Sequence, residues 1–153
     1  MKNFHFLNVL ELNKLTADSV CIRLDISGIG EGLFDFIAGQ YITIRKEIKG
    51  QDIRRSYSIS SAPGEFLEIG VKLVRGGLMS TYLTKELKKG DVLEVMPPMG
   101  SFFLETNHTN ENHYMAICAG SGITPVLSMI RDVLNKEPNS SFTILYGNQS
   151  RST

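Results

Sequence analysis

The sequence has no tryptophan, only two cysteines and no excess of either charge. Two thiols, Cys21 and Cys118, cannot supply the four thiolates of a ferredoxin-type iron–sulfur cluster or an all-cysteine zinc site. Nothing in their placement asks for a disulfide, so both read as free cytosolic thiols. Lysine plus arginine equals aspartate plus glutamate, 16 against 16. A dedicated nucleic-acid binder needs a basic excess to neutralise phosphates, so the balance argues against that class. No apolar run approaches the about 18–20 residues of a membrane span. The opening Met1-Lys2-Asn3-Phe4-His5 lacks the apolar core of a signal peptide. The expectation is a cytoplasmic protein without a membrane segment. Histidines are few: His108 and His113 lie in a polar stretch that does not make a metal site, and His5 reads as structural.

What is present is ordinary for a folded chain. Of 153 residues, 42% are hydrophobic and 21% charged. That is enough for one domain, or one domain and part of another. Period-2 alternation dominates the first hundred residues. Val20, Ile22, Leu24 and Ile26 take one face of a strand, and Leu67, Ile69, Val71 and Leu73 one face of another. Further strands are expected at residues 4–12, 41–48, 55–60 and 92–96. Residues 96–100, Met-Pro-Pro-Met-Gly, read as a rigid turn closing the last of them. Six short strands with one wet face and turn signals between them describe a small closed barrel, all-β, six-stranded and antiparallel. One helix interrupts it, capped by Ser80, with Leu83 and Leu87 on one face and Gly90 at its end.

Residues 105–113 contain no large apolar side chain and mark a boundary. The reading places a barrel at 1–105, a linker at 106–113 and a different unit at 114–153. In that unit an apolar run at 114–119, expected to be buried on both faces, is followed by Gly120-Ser121-Gly122. A helix starts at Thr124 as cap and Pro125 as first helical residue, with Val126, Met129, Ile130 and Val133 inward. A second apolar strand follows at 142–146. Strand, glycine turn, helix, strand is the opening of a parallel α/β domain. Two strands and a helix cannot bury both faces of such a sheet. The chain is therefore expected to be a fragment of a longer protein, its exposed faces mobile or covered by another copy of the chain.

Three stretches can bear chemistry. In Arg54-Arg55-Ser56-Tyr57-Ser58, an arginine beside an aromatic ring and hydroxyls can hold a phosphate and a flat ring together. Alone, the pattern is better described as a polar strand with solvated arginines. In Gly76-Gly77-Leu78-Met79-Ser80, paired glycines before a helix leave backbone N–H groups open to a pyrophosphate, or simply make a turn and a cap. Gly120-Ser121-Gly122-Ile123-Thr124-Pro125, after a strand and opening a helix, stands where a dinucleotide-binding turn belongs, with Pro125 in place of the usual third glycine. Cys118 has no adjoining cation and reads as core, and Phe102 and Phe103 read as core packing.

The order and spacing of these stretches resemble the ferredoxin–NADP⁺ reductase superfamily, and most of all its oxygenase-reductase branch. Residues 55–58 match its flavin motif Arg-x-Tyr-Ser/Thr, residues 76–80 its flavin-phosphate motif, and residues 120–125 its pyridine-nucleotide turn. Gly39-Gln40-Tyr41 and Leu145-Tyr146-Gly147-Asn148 are also typical. The resemblance implies a Greek-key barrel that binds FAD and an α/β domain that binds NAD(P)H. It implies an electron-transfer oxidoreductase that passes hydride to the flavin and single electrons to an acceptor protein or iron–sulfur domain. By position, Arg55 would meet the flavin pyrophosphate, with Ser56 in the same motif. Tyr57 would pack on the ring system and Ser58 would reach N5, these two being the catalytic candidates. Gly77, Leu78, Met79 and Ser80 would cradle phosphate, and Gly120, Gly122 and Thr124 would lie along the nucleotide. After the second parallel strand no acid appears in residues 148–153, which favours NADPH, with Arg151 on the 2′-phosphate. The alternative is a non-catalytic ligand- or partner-binding β-barrel.

Overall fold

In a computed structural model, residues 4–148 are described. Strands β1 (His5–Lys14), β2 (Ser19–Leu24), β3 (Tyr41–Ile48), β4 (Gln51–Ser58), β5 (Leu67–Lys72) and β6 (Val92–Met99) form one antiparallel sheet. Their order is β4-β3-β6-β1-β2-β5. β6 inserts between the β1–β2 and β3–β4 hairpins, which gives the Greek-key connection. The sheet coils until its two edges meet, but only at one bridge, Ile59 to Ile69. The barrel is therefore not a closed cylinder. β4 and β5 touch at that bridge and diverge from it, leaving a mouth between two edge strands. The inward rows of Leu7, Ile22, Leu24, Ile42, Ile44, Ile69 and Leu93 fill the interior.

Local chemistry moves several expected boundaries. β4 begins at Gln51 because Lys49 and Gly50, both at positive φ (53° and 73°), make a two-residue hairpin turn. β6 runs through Pro97 and Pro98 to Met99 instead of stopping at a turn. The pairing with β3 shifts register between Tyr41 and Thr43, and the irregularity accommodates residues that lack a ladder N–H. The single helix expected near residue 80 is a four-residue α1 (Leu78–Thr81) followed by one turn of π type, Tyr82–Glu86. Its N-cap is Gly77. Ser80 lies inside the helix, buried, and is not the cap.

β7 (His113–Ala119) and β8 (Ser141–Gly147) pair in parallel, joined through a 3₁₀ turn at Gly120–Gly122 and α2 (Ile123–Lys136). The helix starts earlier than expected. Gly122 is its N-cap, Thr124 its second residue, and the Thr124 hydroxyl donates to the Ser121 carbonyl (2.9 Å). Pro125 takes the third position, still among those whose N–H has no intrahelical acceptor. The run at 114–119 is open on one face: Ile117 is 78% and Met115 63% exposed. Phe102 (64% exposed) and Phe103 (40%) lie on the surface rather than in the core. Ile130 is half-buried, whereas polar Ser128 and Asp132 are buried.

The connection at residues 105–112 has no regular structure but is tied down. Glu137, just past α2 and 1% exposed, accepts from the Asn107 backbone N–H (2.9 Å), Asn110 Nδ2 (2.8 Å) and the Tyr114 hydroxyl (3.0 Å). Burial pushes its carboxyl up, but the hydrogen bonds from Ser140, Asn107, Asn110 and Tyr114 outweigh this and hold it at about 2.

Candidate functional site

The mouth between β4 and β5 opens into a cavity of about 500 Å³. One wall is the end of β4: Arg55, Ser56, Tyr57 and Ser58. The opposite wall is Gly70 and Lys72 of β5 with Leu73 and Val74. The floor is the turn into α1, with Gly77, Leu78, Met79 and Ser80, and one end is closed by Ser121 and Thr124. Two short patterns separated in sequence by the whole of β5 thus meet because the sheet coils its edges together. Among the described residues of this wall there are two cations, Arg55 and Lys72, and no acid, an electrostatic setting for an anionic ligand.

Each side chain has a definite situation. β4 pairs with β3 so that Arg55 lies opposite Ile44 and Tyr57 opposite Ile42, both core residues. These two therefore stand on the inward row at the splayed edge. Tyr57 packs on the core cluster, and burial pushes its phenol up to about 12 against the opposing influence of Arg55. It is a neutral, flat wall, not an acid. Arg55 is exposed; Nη1 donates to the Arg54 carbonyl (2.7 Å), and it makes no ion pair among the described residues. Its neighbour Arg54 is already paired with Asp52 (2.8 Å) and stacked towards Phe4. Ser56 and Ser58 stand on the other row, Ser56 bonded to the Thr43 hydroxyl (3.0 Å) and Ser58 opposite Tyr41.

The α1 turn is locked from within. The Ser80 hydroxyl accepts from the Val74 N–H (3.1 Å) and points its own hydrogen at the Gly77 carbonyl (3.2 Å). Thr81 also donates to the Gly77 carbonyl (2.7 Å). Ser80 therefore shapes the cradle and does not offer it a donor. The N–H groups of Leu78 and Met79, in the first turn, have no intrahelical acceptor.

Of the residues singled out from sequence, Arg55, Ser56, Tyr57, Ser58, Gly77, Leu78, Met79, Ser80 and Thr124 line this one cavity. Gly120 does not. It lines a smaller apolar recess of about 200 Å³ behind Thr124. Gly122 lines neither. Arg151 lies outside the described residues. Sequence reasoning missed Gly70, Lys72 and Ser121. Gly70 and Lys72 stand on the outward row of β5, and nothing local in sequence ties that row to β4. Cys21, by contrast, is held inert, its thiol pushed up to about 12 by burial and by Glu68. No metal-binding cluster occurs among the described residues. No helix among them is long and apolar enough to cross a membrane.

The chain thus combines an open Greek-key barrel and its cationic, glycine-floored cavity with a following β-α-β unit. Residues 7–104 match the oxidoreductase FAD-binding domain family and residues 116–153 the oxidoreductase NAD-binding domain family. The chain belongs to the first of these families, whose model spans more than half of it, and with it to the ferredoxin–NADP⁺ reductase superfamily. It is 38% identical over 152 residues to one of the subunits of the 1,2-phenylacetyl-CoA epoxidase of Escherichia coli K12, covering 98% of this chain and 42% of that protein. It thus spans about two fifths of the length of that relative. Among solved structures, the flavohem-like FAD/NAD-binding domain of nitric oxide dioxygenase from Vibrio cholerae superposes with a TM-score of 0.82 at 28% identity, covering 99% of this chain and 65% of that one. Phthalate dioxygenase reductase, described as a modular structure for electron transfer from pyridine nucleotides to [2Fe-2S], superposes at 0.77 with 27% identity over 97% and 45%.

Proposed function

We propose that the chain is the flavin-binding part, and the beginning of the pyridine-nucleotide part, of an FAD-dependent NAD(P)H oxidoreductase that serves as the reductase component of an electron-transfer system. Residues 1–105 hold the flavin, 106–113 connect, and 114–153 begin the nucleotide domain. The observation that supports this most directly is the convergence of β4, β5, α1 and the first turn of α2 on one cavity with two cations and no acid in its wall. Held by these residues, a flavin would supply the means to accept two electrons as hydride and to release them singly.

The chain's own residues supply binding and orientation. Arg55 meets the pyrophosphate with a charge-assisted contact that Arg54, committed to Asp52, does not offer. The Leu78 and Met79 N–H groups face the phosphates, Gly77 lets the ligand approach, and Ser80 holds the turn in that shape. Tyr57 packs against the ring system. Ser58, at the end of the same strand, donates at flavin N5. Thr124 and the turn at Gly120–Gly122 border the nicotinamide nucleotide, which we take to be NADPH with Arg151 on its 2′-phosphate. The acceptor is a protein or domain bearing a one-electron centre, an iron–sulfur cluster by analogy with phthalate dioxygenase reductase. Two free thiols and the lack of charge excess fit a cytoplasmic setting without nucleic acid.

The deciding experiment is to purify the chain, record its visible spectrum, and release and identify any bound cofactor. A yellow protein that yields FAD supports the reading. A colourless protein that takes up no added FAD points to the alternative, a non-catalytic binding barrel.

A further inference from the structure

Beside its apolar face, α2 presents a polar stripe. Thr124, Ser128 and Arg131, four and three residues apart, share one side of the helix. That side meets the barrel. Ser128 is completely buried and donates to the Ser61 carbonyl at 2.6 Å. Arg131 donates to the Ser60 carbonyl at 3.0 Å and lies 3.4 Å from Glu68 Oε1. Ser60 and Ser61 lie just past the end of β4, after Ile59. Glu68 and Gly70 are two apart on the outward row of β5. The stripe therefore bridges the two edge strands whose divergence makes the cavity.

Gly70 needs explaining. Its φ is not in the left-handed region, and a glycine inside a strand packs nothing and stabilises nothing by itself. Its reason is space. A Cβ at Gly70 would lie 2.9 Å from Thr124 Cγ2 and meet nothing else within 4 Å. On the far side of the seam Gly39 also lies under α2: its φ of 105° and the Phe102 carbonyl already call for glycine, and a Cβ there would overlap Met129 Cε as well. The barrel surface is flattened at two points where α2 rests.

We infer that this seam is a positioning device, in which Gly70 and Glu68 set how closely the first turn of α2 approaches the Ser58 end of the cavity. The inference rests on the flavin reading above and extends it, because the two nucleotides would be held by different parts of the chain. Reaction between them needs near-contact geometry, and about 1 Å of misplacement is felt as about a hundredfold in rate. Glu68 sits between Arg23 (3.6 Å) and Arg131 (3.4 Å), which ties α2 to the barrel with charge as well as shape.

The test compares Gly70→Ala, Glu68→Gln, Thr124→Ser and the double variant Gly70→Ala/Thr124→Ser in the whole chain. Serine at 124 removes the colliding methyl and keeps the hydroxyl. Flavin affinity is read by fluorescence quenching. Reduction by NADPH is followed anaerobically over a range of concentrations. Amide hydrogen exchange across α2 is measured without ligand. Glu68→Gln, outside the cavity lining, should keep flavin affinity within about twofold; Gly70→Ala and Glu68→Gln should both lower the limiting reduction rate at saturating flavin at least about tenfold, and raise exchange in α2. The double variant should reduce within about twofold of Thr124→Ser alone, a rescue that a general loss of fold would not produce. A parental rate in Gly70→Ala, a double variant as slow as Gly70→Ala, or a rate that falls only in step with flavin affinity overturns the inference. If the parent binds no flavin, the reading it rests on has failed. In that case unchanged exchange in Gly70→Ala and Glu68→Gln overturns the seam as well.

Discussion

Replacing Arg55 by alanine tests the site at its most exposed charge. The guanidinium lies on the cavity wall, makes no ion pair among the described residues, and spends one donor on the Arg54 carbonyl. Four of its five N–H groups remain for a phosphate. A charge-assisted hydrogen bond contributes about 1.5–3 kcal/mol. Arg55 is exposed, so solvent and salt screen the contact towards the lower figure. About 1.5 kcal/mol corresponds to roughly a tenfold weaker flavin affinity. The structure supplies its own control. Arg54, one residue earlier, is bonded to Asp52 at 2.8 Å, so Arg54→Ala should leave flavin affinity within about twofold. Arg55→Lys keeps the charge, loses the planar fork and should fall between. Titration of apo-protein with FAD, followed by fluorescence at low and high salt, reads all three. The Arg55→Ala deficit should shrink as salt rises, and circular dichroism should stay parental because the side chain supports no core contact. Equal affinities for Arg55→Ala and the parent, or equal losses for Arg54 and Arg55, would refute the assignment of the phosphate contact.

Other perturbations have equally definite outcomes. Ser58→Ala should retain FAD and slow its reduction by NADPH in stopped flow; an unchanged rate removes Ser58 from the reaction. Glu137 is held at about 2 against an ordinary 4.5, so the unfolded chain binds the proton more tightly than the folded one. Its stabilising contribution is complete above about pH 4.5 and is lost as pH falls towards 2. Thermal melts between pH 5 and 3 should show this slope, and Glu137→Gln should flatten it; parallel curves would refute the role. Gly39 has a φ of 105°, and a Cβ there would overlap the Phe102 carbonyl oxygen as well as Met129. Gly39→Ala should destabilise by about 2–4 kcal/mol, read as a lowered denaturant midpoint. Arg151→Ala should lower the preference for NADPH over NADH; an unchanged ratio assigns the 2′-phosphate elsewhere.

The strands were legible because burial writes period 2 into sequence wherever one face is wet. Val20, Ile22 and Leu24 alternate with Cys21 and Arg23, and β2 follows that pattern residue for residue. Exceptions have local causes. The Lys49-Gly50 turn hides the first half of β4, because Gln51, Asp52 and Arg54 are exposed and mimic a loop. Two prolines in β6 read as a stop, yet a register shift carries the strand past them. The cavity was only half legible. Short patterns such as Arg-Ser-Tyr-Ser mark one wall, because phosphate and ring contacts constrain residue types at fixed spacing. Lys72 and Gly70 on the facing wall are tied to β4 only through the coiling of the whole sheet, a relation that no local period records.

The least legible feature is the one that joins the two parts. Amphipathic reasoning sorts α2 into an apolar inside and a polar outside, and so assigns Ser128 and Asp132 to solvent. Both are buried. Ser128 is inward because its partner is a backbone carbonyl just past the end of β4, and a hydroxyl satisfies a buried carbonyl where a methyl group would leave it unpaired. Arg131 keeps its stem against the barrel and its head on Glu68 and the Ser60 carbonyl. A helix that rests on a second domain has two inward faces, and the second must match whatever polar groups the neighbouring strand ends present. The matching residues therefore look like surface in the helix and like surface in the barrel. Only the three-dimensional fold, which places residues 60 and 61 opposite residues 128 and 131, turns two solvent-like patterns into one contact.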